Sequence, residues 1–153
     1  MKNLSKKLLS TLLAMLMLLS VLPAGAFTAQ AGTVLLWPVI GHTTRSQGFH
    51  DGSAIDISDG SIYGATVYSA LGGTVEKVFK CSHNTYPNYN ISCCYGYGTG
   101  VVIKGNDGRH YRYAHMVAGS IPSNIWVGAS VSQGTVLGKV GNTGNSSDRK
   151  SVV

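Results

Sequence analysis

The feature that most restricts the fold of this chain is its rhythm. Short β-branched runs alternate with glycine turns, and no long amphipathic helical period is visible in the body of the chain. Twenty glycines serve these turns. Val34 to Ile40 is a lead-in segment, in which Pro38 argues for an edge or non-strand piece. Strands are predicted at Ile55–Ser58, Thr66–Ala70 and Gly73–Phe79, the last two joined by a tight Leu71-Gly72 turn. Gly100–Lys104 is predicted to pair with Arg109–Ala114 across Asn106-Asp107-Gly108, where the Asp-Gly step is a strong hairpin signal. Ser120–Ile125 reads as one short helical turn, and Ser130-Val131 with Thr135–Val140 as a closing hairpin through Gln133-Gly134. This is the pattern of an all-β sandwich or barrel.

The two ends read differently from the body. Lys2, Lys6 and Lys7 head an apolar core from Leu8 to Leu22, followed by Pro23 and the small-residue sites Ala24-Gly25-Ala26 and Ala29-Gln30-Ala31. Residues 1–31 are therefore expected to be a secretory signal peptide, with a core too short for a comfortable membrane span, and no span is expected after its cleavage. Residues 32–147 are expected to form one domain. At the far end, Asp148-Arg149-Lys150-Ser151-Val152-Val153 can be encoded by a sequence that reads as a short-read sequencing adapter. Residues 148–153 are thus expected to be a non-native tail, with the natural domain cut short at Ser147. Three of the twelve basic residues lie in the signal head and two in the tail, leaving seven against five acidic residues between them. A net charge near +2 is no electrostatic footprint for nucleic acid.

Cys81, Cys93 and Cys94 flank or lie in one polar insertion rich in Asn, Tyr and Ser. In an exported chain they are better read as disulfide candidates, Cys81 with Cys93 or Cys94, than as a metal site through Cys81, His83, Cys93 and Cys94. The stretch Gly48 to Ile57 holds the most chemistry. It is predicted to start as a loop around His50 and to enter a strand at Ala54-Ile55-Asp56-Ile57. A histidine and a carboxylate so placed can bind a divalent metal, zinc above all, or Asp56 can merely cap a turn. His115 ends a predicted strand, where reactive groups are commonly displayed. Strict alternation sends His110 to the opposite face, into solvent. His42 is expected to play a surface role.

With these residues in view, the chain resembles the lysostaphin-type (LytM-like) zinc metallopeptidases that cut peptidoglycan peptides. The resemblance runs from about Trp37 to Ser147. It is carried in order by Trp37-Pro38, by Phe49-His50 through Asp56-Ile57, and by Gly64–Ala70 with Gly72–Val75 as the family's hairpin. Gly98–Ile103, Tyr113-Ala114-His115-Met116, Val127–Gly134 and Leu137–Gly144 complete it. The implied fold is an antiparallel all-β sandwich or half-barrel of the duplicated hybrid motif type, with its last strand or strands missing. The resemblance implies His50 and Asp56 as two of three Zn2+ ligands, and His115 as general base or hydrogen-bond donor to the developing oxyanion. Peptidoglycan peptides would be the substrate, and the location a bacterial cell wall or its surroundings.

Two departures stand out. Five residues separate His50 from Asp56 where the family has three, which makes Asp51 a rival ligand. The family's His-x-His pair, source of the third ligand and of a second catalytic histidine, should follow the Gly141–Ser147 turn, and nothing there resembles it. The expectation is therefore a peptidase that is inactive as this chain stands. The alternative is a non-catalytic cell-wall-binding or hydrolase-activating domain of the same fold. A lipoyl-like or carbohydrate-binding β module would leave the His50–Asp56 stretch unexplained. Cross-bridge glycines and stem-peptide bonds both fall within the resemblance.

Overall fold

The β-hairpin marked by Asp107-Gly108 is the spine of the structure, a computed structural model. It describes residues 33–50, 53–83 and 95–146, with the backbone of 151–152. The expected signal segment, Asp51, Cys93, Cys94 and residues 148–150 lie outside the described residues, and the side chains of 151–152 with them. All described residues belong to one compact unit, Thr33–Val153. None of its helices is long and apolar enough to cross a membrane, and among the described residues every regular element is a strand.

In chain order the strands are β1 (Arg45–His50), β2 (Ala54–Ile57), β3 (Thr66–Tyr68), β4 (Gly73–Phe79) and β5 (Thr99–Gly105). They continue with β6 (His110–Met116), β7 (Ser130–Val131), β8 (Val136–Lys139) and β9 (Ser151–Val152). Seven form one antiparallel sheet in the order β1-β2-β9-β6-β5-β4-β7, and β3 with β8 forms a second. The all-β antiparallel fold is as expected. β5 and β6 pair from Thr99 opposite Met116 to Lys104 opposite His110, and the turn closes with the Gly108 N–H on the Gly105 carbonyl at 2.9 Å.

The core lies between the two sheets' apolar faces. Val75, Val101, Ile103, Tyr113, Met116, Leu137 and Val140 belong to one buried cluster with Ile57 and Val67. Tyr113 reaches furthest, its hydroxyl accepting the Ala70 N–H at 2.8 Å, and burial pushes its phenol well up from the ordinary range.

Four expectations need correction. β3 and β4 are not hairpin partners, since β3 pairs with β8 and β4 with β5 and β7. By the same crossing, β7 and β8 do not pair with each other. Interleaving lets both short apolar strands bury against the opposite half of the domain, which a local hairpin would not do. Ser120–Ile125 forms two successive turns, Ser120 N–H to Val117 O and Ile125 N–H to Pro122 O, and no helix. Pro122 disfavours the helical conformation at Ile121 before it. Finally, the first half of the His50 stretch is a strand. β1 is almost wholly exposed and carries no apolar alternation, so it exists only through its ladder to β2.

The place expected to lack a strand holds a two-residue one. β9 lies between β2 and β6, with Val152 in register with both Asp56 and Ala114.

Candidate metal and catalytic site

β1 and β2 bring the first two groups together. Their ladder pairs His50 with Ala54 and Gln47 with Asp56, and two register shifts fold the end of β1 over β2. Asp56 is 2% exposed, while its neighbour Ile57 enters the core. His50 Nε2 lies 3.6 Å from Asp56 Oδ1. That is too long for a hydrogen bond. It is close to the roughly 3.4 Å between two arms of a tetrahedral zinc with bonds near 2.0–2.1 Å. The other ring nitrogen is committed, because His50 Nδ1 donates to the Gly48 carbonyl at 2.9 Å. A carbonyl can only accept, so Nε2 carries the lone pair and faces the carboxylate, the orientation a metal-binding imidazole needs. The donor set therefore suits zinc in kind and spacing but is short in number. Among the described residues no three His, Cys, Asp or Glu side chains are grouped to hold a metal ion.

His115 comes from the other side of the same cleft, which His50, Asp56, Tyr97 and Asn145 also line. Two strand spacings, about 9.5 Å, separate the β2 and β6 backbones there, with β9 between. His115 is 6% exposed and has φ 56°, a left-handed conformation that costs a non-glycine residue on the order of 1–3 kcal/mol. The cause is a bulge. Thr99 opposes Met116 and Val101 opposes Tyr113, so Ala114 and His115 together oppose one residue of β5. Tyr113 and Met116, three apart, are both fully buried in the core. Strict alternation thus fails between His110 and His115, and the cleft is lined by both.

A threonine that the sequence reading passed over as part of a glycine turn fixes the His115 ring. His115 Nδ1 donates to the Thr143 carbonyl at 2.7 Å, which leaves the Nε2 lone pair as the proton acceptor. The Thr143 hydroxyl accepts the Thr99 N–H at 2.8 Å and donates to the Met116 carbonyl at 2.6 Å. One side chain thereby ties the start of β5, the end of β6 and the Gly141–Ser146 turn. The signal in the sequence was a lone threonine between glycines, where a hydroxyl has only backbone to bond.

The remaining candidates have other partners. Cys81 is buried with Sγ 3.4 Å from His83 Nδ1, and its proposed disulfide partners are outside the described residues. His110 is exposed, as expected, with Nδ1 2.8 Å from Glu76 Oε2. His42 plays a surface role, as expected, in an exposed hydrogen bond. It is half-buried, and its Nδ1 meets Asp59 Oδ2 at 2.6 Å. The His42 hydrogen bond, more than any other cause, holds the Asp59 carboxyl below its ordinary range. A depressed carboxyl stabilises the fold above its unfolded pKa, and that contribution disappears as pH falls through the folded value. His42→Ala is expected to move the Asp59 titration upward toward the ordinary carboxylate range, so that the acid limb of stability begins at higher pH. Carboxyl-detected NMR titration of Asp59 checks this, and an unmoved titration refutes it.

The profile of Peptidase family M23 matches residues 48–152, and the chain belongs to that family. Comparison with curated protein sequences gives no match. Solved structures share the fold. Helicobacter pylori Csd3 aligns at 24% identity and TM-score 0.56, covering 79% of this chain and 29% of that one. A peptidase M23 from Pseudomonas aeruginosa aligns at 24% identity and TM-score 0.56, covering 78% and 43%. A zinc-containing peptidase from Vibrio cholerae aligns at 22% identity and TM-score 0.57, covering 79% and 37%. The chain thus spans under half the length of each of these structures.

Proposed function

We propose that this domain belongs to an exported, zinc-dependent endopeptidase of bacterial peptidoglycan, in a form that does not complete its metal site. The observation that carries the reading is the convergence in one cleft of His50 and Asp56, at the spacing of two zinc ligands, with a buried His115 oriented through Nδ1. Membership in a peptidase family supports the reaction class, and the zinc-containing relative supports the metal. Bound there, zinc would polarise a scissile carbonyl and lower the pKa of a water. The chain's own contribution is positional. Gly48 holds His50 with Nε2 toward the site, Asp56 supplies a carboxylate shielded from solvent, and Thr143 keeps the His115 Nε2 lone pair turned outward. From there His115 takes a proton from the nucleophile or, once protonated, donates to the oxyanion. Residues 1–31 act as a cleaved export signal.

The same donor count favours a second reading for the polypeptide as it stands, a wall-binding or hydrolase-activating domain. The 153-residue chain, supplied with zinc, is expected to release no soluble fragments from purified peptidoglycan. Lysis abolished by a chelator would overturn the claim of inactivity. Wall binding in a pull-down without hydrolysis would favour the second reading.

A further inference from the structure

Arg112 is the cleft residue whose charge the proposed chemistry does not use. It precedes His115 by three positions on β6, opposite Val102 of β5, and its side chain is exposed on the cleft. Its guanidinium carbon lies 4.0 Å from the centroid of the Tyr97 ring. Stacking of this kind restrains a planar cation and leaves its in-plane N–H groups available. The platform is itself held, since the Tyr97 carbonyl accepts the His115 N–H at 2.9 Å. Three other basic side chains of the cleft face acids. His110 meets Glu76, Arg109 reaches Asp107 Oδ2 at 4.0 Å, and His50 faces Asp56. Among the described residues, no carboxylate lies in ion-pair range of Arg112. A pre-oriented guanidinium beside a candidate general base, with no acid of its own, matches a carboxylate brought by the ligand.

We propose that Arg112 is a specificity-determining residue that binds a free carboxylate of the substrate peptide, and that the substrate is an acidic stem peptide. The proposal rests on the peptidase reading of the cleft. Three residues of strand separate Arg112 from His115, roughly 10 Å at about 3.3 Å per residue. A peptide lying extended along β6 would place its carboxylate two or three residues from the bond presented to His115. Stem peptides carry carboxylates at such spacings, whereas a run of cross-bridge glycines carries none. The two substrate classes left open by the sequence are thereby separated by charge.

Binding to the full chain distinguishes them without requiring turnover. Three probes are titrated by calorimetry and by amide chemical-shift mapping: a stem tetrapeptide with free carboxylates, the same peptide with those carboxylates amidated, and pentaglycine. The free acid is expected to bind about tenfold or more tighter than the other two, the worth of one charge-assisted pair. Arg112→Gln removes that preference while thermal unfolding shows the fold retained. Arg112→Lys, which keeps the charge and loses the planar fork, retains part of it and serves if the glutamine variant fails to fold. Equal binding of acid and amide, or an undiminished preference in both variants, overturns the role of Arg112 and leaves the peptidase reading standing. If none of the three peptides shifts resonances of the cleft, the peptidase reading fails and this proposal fails with it.

Discussion

Val152→His is expected to raise the affinity of this chain for zinc by more than about a hundredfold. The reason is register. Val152 stands opposite Asp56 of β2 on one side and opposite Ala114 of β6 on the other. Positions directly opposite in antiparallel strands share a face of the sheet. A histidine introduced at 152 is therefore delivered to the face that carries Asp56. The spacing of His50 Nε2 and Asp56 Oδ1, 3.6 Å, already suits two arms of a tetrahedral site, and a third arm makes the three-protein-ligand set of an open zinc. Loss of a mere outer-shell partner changes metal affinity by about 10–100-fold, so a ligand in direct contact is expected to exceed that range. Competition against a chromophoric chelator measures the change. Asp56→Asn in the same background should return the affinity to that of the parent chain. An affinity unchanged by Val152→His would show that β9 is not where the third ligand belongs, and an Asp56→Asn variant that still binds tightly would remove Asp56 from the site. The same titration tests Asp51, because a site built on Asp51 would not respond to Asp56.

The parts of this fold that were legible in sequence are those decided locally. Asp107-Gly108 forces a tight turn, and Val101, Ile103 and Tyr113 flank it with the right period, so the β5–β6 hairpin was readable before any tertiary information. β1 was not, because Arg45, Ser46, Gln47 and Gly48 have nothing to bury and become a strand only when β2 offers its edge. The exchange of partners among β3, β4, β7 and β8 was hidden for another reason. Neighbours in sequence usually pair, and the glycine turns at Leu71-Gly72 and Gln133-Gly134 look the same whether they close a hairpin or carry the chain across to the other sheet. The site divides along the same line. His50, Asp56 and His115 are residue types that announce metal or acid–base chemistry. The bulge that turns His115 is carried by Ala114 and His115, where histidine's modest tolerance of the left-handed region is no local turn signal, and it arises from pairing with β5. Thr143 acts through its carbonyl and hydroxyl on atoms distant in sequence, and no local pattern reports that.

Gly98→Ala is expected to lower stability by about 3–5 kcal/mol. Gly98 has φ 69°, where an L-residue pays on the order of 1–3 kcal/mol. A Cβ there would overlap the Thr143 carbonyl group and Oγ1. Relieving such an overlap costs about 1–3 kcal/mol more in a packed interior. Thr143 cannot retreat freely, because its hydroxyl bridges Thr99 and Met116 and its carbonyl holds His115. For a domain of this size the loss corresponds to a fall in Tm of roughly 12–20 °C. Gly60→Ala is the control. Gly60 has φ 78° but nothing within 4 Å of the added carbon, so it should show the conformational cost alone, on the order of 1–3 kcal/mol. The difference between the two variants is the cost of pushing Thr143 aside, and it should bring with it a changed His115 ring environment in imidazole-detected NMR. Equal unfolding temperatures for the two variants, with His115 resonances unmoved, would mean that the glycine turn and Thr143 do not position His115 at all.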